Sequence, residues 1–597
     1  FKNYLSFVWN EIIAVKLGNR IYTDFEEQGF SSLWLSNIED KKEKHRIIDE
    51  LNFESYDLSE KLYKFSYTGC ITNFRKNDIA IIYKNKGGDT NPLKQQIYKC
   101  TIKDISPNNV VISLRSEQPR IEIFTTDDIY CIEHDLFDKN YFGLISSLFN
   151  FLAKEKEKRE LLLGVKTPLQ NELLYDEPDY NSYYIKKALS ANNYFLLQGP
   201  PGTGKTSTFL INYIKALYYN TNLQVMIVTF TNRSLDEVIK HLVNHNLPFV
   251  LVSSSSNEEY SFKTILKSKK FKEHPFSGFR ICLATISSYL LYENEIKYHF
   301  KVNTLIIDEA SQIAEVQLAG ILIDFEKFVM IGDHNQLPAI SVQSDEFCSI
   351  DDENLNEIGL LNLKDSFFER LYNLCERKNL VNNIDLLTKH YRMHKDIADL
   401  INPYYNNKLI CGDAKQSQQD NLFENIEIYG HKPFNKRVVF IDVDSYSNNF
   451  NKTCIEEAEV TKILLEKLSN KIESIEDDTF GIITPFRAQI SVIRNEIKHL
   501  SFYNKLQIDT IERYQGSEKK IIIISFGVSY KTQLKSITSL NNSGTLDRKL
   551  NVAISRAKDY LVLVGNQKIL ELHPHLKELF NEIKMKNSYI KLNEFSI

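Results

Sequence analysis

The apolar run Tyr194-Phe195-Leu196-Leu197-Gln198 leads directly into Gly199-Pro200-Pro201-Gly202-Thr203-Gly204-Lys205-Thr206, and a helix-forming stretch follows. An apolar segment of strand length, a glycine-rich turn and then a helix predict a strand–loop–helix unit that binds phosphate. Gly199, Pro200, Pro201, Gly202, Thr203 and Gly204 let the backbone curl until its N–H groups point inward at phosphate oxygens. The helix that follows places the positive end of its dipole at the same spot. Lys205 is spaced to reach the β- and γ-phosphates, and Thr206 offers a hydroxyl to Mg²⁺.

Further along, Leu305-Ile306-Ile307 ends in Asp308 and Glu309. A strand ending in two carboxylates complements a phosphate loop. Asp308 would hold Mg²⁺, directly or through water, and Glu309 would polarise the attacking water. Around these two anchors the chain alternates apolar strand-like runs with amphipathic helices, the pattern of α/β folds. The first set is Tyr194–Gln198, Gln224–Thr229, Ile281–Thr285, Thr304–Asp308 and Phe328–Gly332. A second set is Val438–Asp442, Phe480–Thr484, Ile521–Phe526 and Tyr560–Gly565. The polar, acidic stretch Ser341–Glu357 reads as loop or linker.

The N-terminal part has a different pattern. Trp9, Ile12, Ile13 and Val15 suggest an opening helix, Ser32–Ser36 a short strand, and Asp40–Leu51 a charged helical stretch. Ile79–Tyr83, Ile97–Ile102 and Val110–Leu114 are short β-rich runs, which fit a small barrel. Residues 139–162 read as one long helix, with Leu144, Leu148 and Leu152 recurring every four positions and an alternating charge run over Lys154–Glu160.

Composition narrows the function classes. At 43% apolar and 25% charged residues the chain is globular rather than disordered. A net charge of -5 argues against holding nucleic acid by bulk charge, while leaving room for a local basic channel. The cysteines at 70, 100, 131, 282, 348, 375, 411 and 454 form no Cys-x-x-Cys pair, so they read as reduced thiols of an intracellular protein, cytoplasmic if prokaryotic. No membrane span is visible.

The ordered set Asp308-Glu-Ala-Ser-Gln312, Gly332-Asp-His-Asn-Gln-Leu-Pro338, His390-Tyr-Arg-Met-His394, Ile508-Asp-Thr-Ile-Glu-Arg-Tyr-Gln-Gly-Ser-Glu518 and Leu550-Asn-Val-Ala-Ile-Ser-Arg-Ala557 resembles superfamily 1 helicases of the 5′-to-3′ branch. It is similar to the nonsense-mediated-decay RNA helicases and more so to the helicase half of the eukaryotic replication nuclease-helicases. Tyr4–Val15 and Ser32-Leu-Trp-Leu-Ser36 resemble the segment that follows the nuclease domain of the latter group.

The resemblance implies an α/β fold of two tandem RecA-like P-loop domains with an N-terminal β-barrel on a helical stalk. The expected boundaries are 1–70 for a mixed segment, 71–138 for the barrel and 139–175 for the stalk. The first RecA-like domain would then span 176–345, a linker 346–364 and the second RecA-like domain 365–597.

It further implies ATP and Mg²⁺ as cofactors, closed upon by the two domains. Lys205, Thr206, Asp308 and Glu309 would come from the first, and Arg392 and Arg556 from the second as arginine fingers. Gln336 would sense the γ-phosphate, Tyr391 would stack on adenine, and Gly516 and Glu518 would lie near the γ-phosphate and ribose. Asp333 would pair with a finger or a neighbouring motif in the cleft. Asn181 stands where relatives carry an adenine-reading Gln, one methylene longer, and His390 and Lys520 also depart from the family pattern.

For nucleic acid, the matching positions are Thr231, Asn232, Thr285, Thr484, Pro485, Arg487 and Thr510. Small hydroxyl and amide groups at strand ends suit sequence-blind backbone contacts, and Thr and Asn there also serve as helix caps. The lysines at 263, 267, 269, 270 and 272 read equally as a nucleic-acid patch or a solvated loop. The expected function is an ATP-dependent 5′-to-3′ helicase or translocase. Its partners would be single-stranded DNA or single/double-strand junctions, and a nuclease domain upstream of Phe1 is implied. The alternatives are an RNA helicase or ribonucleoprotein remodeller, and an ATP-gated single-strand clamp or sensor.

Overall fold

The computed structural model describes residues 1–17, 34, 37–43, 45–68, 72–76, 78–87, 91–116, 123–135, 141–169, 180–252, 279–418, 423–428, 430, 432, 436–443 and 452–592. The expected strand over Ser32–Ser36, apart from Trp34, and the lysine stretch 263–272 lie outside them. The chain forms two compact units. One comprises Phe1–Ile12, Asn140–Gln418 and Ser539–Ser555, and the other Ile13–Lys139, Gln419–Thr538 and Arg556–Ile597.

The first unit is built on a parallel seven-stranded sheet. Its order is Ile384–Leu386, Tyr194–Gln198, Lys327–Gly332, Val302–Asp308, Gln224–Thr229, Ile281–Thr285 and Phe249–Val252. Parallel strands covered on both faces read as continuous apolar runs rather than alternating ones. Leu196, Met226 and Leu305 enter one core, while their neighbours Phe195, Leu197, Ile227 and Ile306 enter the other.

One face is covered by helices Tyr141–Ala153, Glu315–Leu322 and Phe367–Arg377. A buried Arg370 lies at the centre of this layer. Its Nε donates to Glu315 Oε2 at 2.6 Å and its other nitrogens to the carbonyls of Leu162, Leu163 and Ile358. The Tyr4 hydroxyl also donates to Glu315. A buried ion pair is tolerated only when its remaining donors are satisfied, as they are here.

Several boundaries differ from those expected. The stretch 346–364 is not where the chain leaves the first unit, because Ile384–Leu386 adds in parallel to Tyr194–Gln198 as an edge strand. The chain remains in that unit to Gln418 and returns to it at Ser539. The single helix expected over 139–162 is two helices, Tyr141–Ala153 and Lys156–Leu163, because Glu155 takes an extended backbone and Lys154 pairs with Asp324 at 2.7 Å.

The second unit holds a closed antiparallel barrel in the order Ile47–Asp57, Leu62–Ser66, Asn109–Leu114, Tyr98–Ser106, Ile79–Lys84 and Ile129–His134. The barrel thus begins at Ile47 rather than 71. The helix expected over Asp40–Leu51 is confined to Ile38–Glu43. A register shift between Ile48 and Leu51 keeps both inside while Glu50, at φ +53°, lies outside and half-buried Asp49 pairs with Lys42 at 2.6 Å, which lets a charged segment pair as a strand.

The unit also holds a parallel six-stranded sheet ordered Gln507–Asp509, Phe480–Ile483, Lys519–Ser525, Ala557–Gly565, Val438–Val443 and Tyr589–Leu592. Glu457 is buried beneath it, where its Oε2 accepts from Ser525 Oγ at 2.7 Å and the Gly527 N–H at 2.8 Å. Burial pushes this carboxyl up to about 7. No helix among the described residues is long and apolar enough to cross a membrane.

Two measurements follow from this packing. A Cβ on Gly320 would come within 2.0 Å of the Ser147 carbonyl oxygen, so Gly320→Ala forces two helices apart. It should lower stability by about 1–3 kcal/mol in urea unfolding, and an unchanged midpoint would refute the packing. A raised carboxyl pKa stabilises the fold at low pH, and that contribution is lost as pH rises to about 7. Glu457→Gln should therefore gain on wild type in unfolding free energy as pH rises from 4.5 to 7, by up to about 3 kcal/mol, read from urea unfolding across that window. A constant difference across that window would show that Glu457 does not titrate there.

Candidate active site

The strand Tyr194–Gln198 is buried along its whole length and delivers the glycine-rich loop at its C-terminal end, where ligands bind in open α/β sheets. The next strand ends beside it, with the Gly199 N–H donating to the Gly332 carbonyl at 2.9 Å. Gly202 takes φ +75°, and a Cβ there would lie 2.4 Å from Arg392 Cβ. Only glycine allows both the left-handed backbone and the close approach. The loop continues into a π-helical turn over Lys205–Leu210, with the Phe209 N–H reaching the Gly204 carbonyl at 3.0 Å, before an α-helix runs from Ile211 to Asn220.

The two anchors found in the sequence meet in this unit. Thr206 Oγ1 donates to Asp308 Oδ2 at 2.7 Å, and Lys205 Nζ stands 3.7 Å from Glu309 Oε1. Gln312 Nε2 donates to Glu309 Oε2 at 3.0 Å. Glu309 has φ +53°, a left-handed backbone that a side-chain-bearing residue seldom takes and that recurs where function demands it. Burial and then the neighbouring Glu309 charge raise the Asp308 carboxyl to about 7. A hydroxyl beside a carboxylate too deeply buried to ionise easily is a donor set suited to a hard divalent cation, whose charge would reverse that shift.

Asp333 is the second buried carboxylate of the site. Gln198 Nε2 donates to its Oδ1 at 3.1 Å, and Gln336 Nε2 and the Tyr405 hydroxyl donate to its Oδ2, each at 2.7 Å. Its expected finger or motif partner is therefore a set of neutral donors. Asn551 Nδ2 bonds both the Tyr405 hydroxyl, at 2.9 Å, and the Asn335 carbonyl, at 2.7 Å. Gln198, Asn335 and Asn551 lie within or beside motifs already quoted, yet nothing in their spacing marks them. Tyr405 sits in a short 3₁₀ turn, Asn402–Tyr405, outside every motif.

Arg392 belongs to the first unit and not, as expected, to the second, because its segment is fastened to the phosphate loop. The Tyr391 N–H donates to the Gly202 carbonyl at 2.9 Å, and Arg392 Nη1 reaches the Ser555 carbonyl at 3.4 Å. The Tyr391 ring is 59% exposed and lies across Gly412, where a Cβ would come within 2.3 Å of it. Asn181 is exposed in the first turn of helix Tyr180–Ser190. The Tyr180 hydroxyl accepts the Thr388 and Lys389 N–H groups at 2.7 and 2.9 Å, which ties that helix to the Tyr391 segment. His390 is buried, and burial lowers its pKa to about 4, so the ring is neutral and bonds Gln416 at 3.0 Å.

In the second unit Gly516 takes φ +79°, Glu518 pairs with Lys558 at 2.9 Å, and buried Arg556 reaches the Ser517 carbonyl at 3.4 Å. The positions matched to strand contacts divide by environment. Thr231 and Thr285 are helix N-caps, accepting the Ser234 and Ser288 N–H groups at 3.2 Å, while Asn232 is exposed. Thr484 is fully buried, and Thr510 is buried at the start of the turn Ile511–Tyr514. Pro485 is half-buried and the Arg487 side chain is exposed.

Two family models, each described as an AAA domain, match residues 184–342 and 363–568. The chain is 28% identical over 434 residues to the DNA replication ATP-dependent helicase/nuclease JHS1 of Arabidopsis thaliana, covering 68% of this chain and 30% of that protein. It is 26% identical over 508 residues to the human DNA replication ATP-dependent helicase/nuclease DNA2, covering 75% of this chain and 44% of that protein. The chain thus spans less than half the length of these curated relatives. Among solved structures it is similar to the arterivirus nonstructural protein 10 helicase, at 11% identity and a TM-score of 0.36, over 88% of this chain and 80% of that one. With its motifs in order and its phosphate loop and acidic strand end in register, the chain carries two stretches that match AAA domains, resembles superfamily 1 helicases and is similar to part of the DNA replication ATP-dependent helicase/nucleases.

Proposed function

We propose that this chain is an ATP-driven motor that moves 5′-to-3′ along single-stranded DNA and separates duplex ahead of it. The observation that carries the reading is the pairing of Lys205 and Thr206 with Glu309 and Asp308. These four side chains meet at the mouth of a phosphate loop, and separately in sequence none would be diagnostic. DNA as the strand is supported by the relatives, which are DNA replication helicase/nucleases. The direction of travel rests on the motif set, and a nuclease partner rests on those relatives alone.

The chemistry assigned to each residue follows from its place. Backbone N–H groups of Gly202, Gly204 and Lys205 and the Lys205 ammonium bind and neutralise the nucleotide phosphates. Thr206 and Asp308 hold Mg²⁺, which when bound supplies charge neutralisation and orientation of the phosphates. Glu309, held by the Gln312 amide beside Lys205, takes a proton from the attacking water. Gln336 reads the γ-phosphate while Asp333 fixes its amide. Arg392 stabilises charge on the transferred phosphoryl group beside Gly202, and Arg556 does so from the second unit's sequence. Tyr391 and Asn181 hold the adenine, with Gly516 and Glu518 near the phosphate and ribose. Asn232, Arg487 and the strand-end residues Thr231, Thr285, Thr484, Pro485 and Thr510 carry backbone contacts to the strand.

The test is ATP hydrolysis by the purified chain with no strand, with single-stranded DNA and with single-stranded RNA. Stimulation by DNA, lost by about 100-fold or more in Lys205→Ala and Glu309→Gln, is the expected result. Strand displacement from a 5′-tailed duplex and not a 3′-tailed one would accompany it. Stimulation by RNA alone would replace the reading with an RNA remodeller. Tight ATP-dependent strand binding with no turnover would replace it with a clamp.

A further inference from the structure

Within the second unit, the barrel segment Thr72–Arg75 and the nearby Asp78 lie against helix Arg487–Ile497 and the turn Ile511–Tyr514. Ser491 Oγ donates to the Thr72 carbonyl and Arg487 Nη1 to the Asn73 carbonyl, each at 3.1 Å. Arg75 Nη1 pairs with Asp509 Oδ1 at 2.7 Å. Arg513 Nη2 reaches Asp78 Oδ1 at 3.2 Å, and Arg487 Nη1 stands 3.9 Å from Asp78 Oδ2. Three guanidinium groups from two structural layers therefore converge on two carboxylates, leaving an excess of positive charge.

Arg75 is the unusual member. It is 7% exposed, and among the described residues its Nη2 has no hydrogen-bond partner. Burial lowers its pKa to about 10, with Asp509 opposing and Arg487 and Arg513 adding to the fall, so it stays charged at neutral pH. A buried guanidinium N–H without an acceptor is costly, and it leaves a donor available to an incoming anion. A planar guanidinium fork accepts a carboxylate or a phosphate in the same geometry. A phosphodiester carries the same single charge as Asp78 with a different spread of acceptor oxygens.

We propose that Arg75, Arg487 and Arg513 form a binding site for one backbone phosphate of a single strand, and that Asp78 occupies it as a built-in substitute until the strand displaces it. The proposal rests on the strand-binding reading of Arg487 and extends it. It makes the barrel part of the strand site through Arg75, and it makes the same barrel segment a competitor through Asp78. Strand entry is then an exchange of one anion for another among fixed arginines, which disfavours weak or transient encounters.

The experiment is equilibrium binding of a fluorescent oligodeoxythymidylate to the full chain without nucleotide, across a salt series. Asp78→Asn keeps an acceptor for the Arg75 N–H while removing the charge, and should bind about fivefold tighter than wild type. Arg513→Gln changes a half-exposed side chain and should bind about fivefold more weakly, with a log–log salt slope shallower by about 0.7. Far-ultraviolet circular dichroism and melting temperature confirm that both variants are folded. Affinities within twofold of wild type and unchanged slopes in both folded variants would overturn the proposal, as would a wild-type chain that binds no oligonucleotide. ATP hydrolysis measured on the same preparations keeps the two readings apart: turnover with unaltered strand binding in the variants removes the phosphate site and leaves the motor standing.

Discussion

The buried carboxylate of Asp333 is the point through which the nucleotide end of the first unit is held together. It is fully enclosed, and an unpaired charge there would be prohibitive. Its oxygens are satisfied by Gln198, Gln336, the Tyr405 hydroxyl and the Asn335 N–H. Those donors come from the strand that delivers the phosphate loop, from the turn after the neighbouring strand, and from a distant 3₁₀ turn. Asn551 then closes the network from a helix in the returning segment Ser539–Ser555. Each donor is fixed because the carboxylate needs it, so the spatial order of the site follows from the cost of burying one charge.

The same economy appears at the loop itself. Gly202 and Arg392 occupy space that neither could share with a side chain at position 202. Glu309, on a left-handed backbone, sets its carboxylate beside Lys205, while Asp308 meets the Thr206 hydroxyl. Two carboxylates in consecutive positions are thereby given different environments. One is buried against a hydroxyl, and the other is partly exposed beside an ammonium. Chemistry that needs a cation ligand and a proton acceptor side by side can draw on that difference.

Much of this was readable in advance, and the exceptions have physical causes. The central strands were legible because strands buried on both faces must be apolar throughout, as Leu305–Ile307 and Ile521–Ile524 are. The edge strand Ile384–Leu386 is only half-buried and carries Asp385, so it lacks that signature. The first barrel strand was hidden by its charged residues Asp49 and Glu50 and by the register shift there, which breaks the alternation a strand would show. The phosphate loop and its acidic partner were legible because their chemistry depends on local spacing. Tyr405 was not, because its role depends on a partner 72 positions away. Thr231 and Thr285 were legible as positions but not as single roles, since a hydroxyl that caps a helix shows the same sequence as one that meets a strand. The division into units was the least legible feature, because it is set by which sheet a short segment joins.

That division bears on how the molecule is made. Each unit is assembled from three separated stretches of chain, and the helix Arg548–Ile554 belongs to the first unit although it follows most of the second in sequence. During synthesis from the N-terminus, the phosphate loop and Asp333 emerge long before Asn551 does. A nascent chain stalled before that helix would hold its phosphate loop beside a Tyr405 hydroxyl still lacking its amide partner. Completion of the nucleotide end therefore waits on a helix translated well after the phosphate loop, and neither unit can be excised as a single continuous fragment.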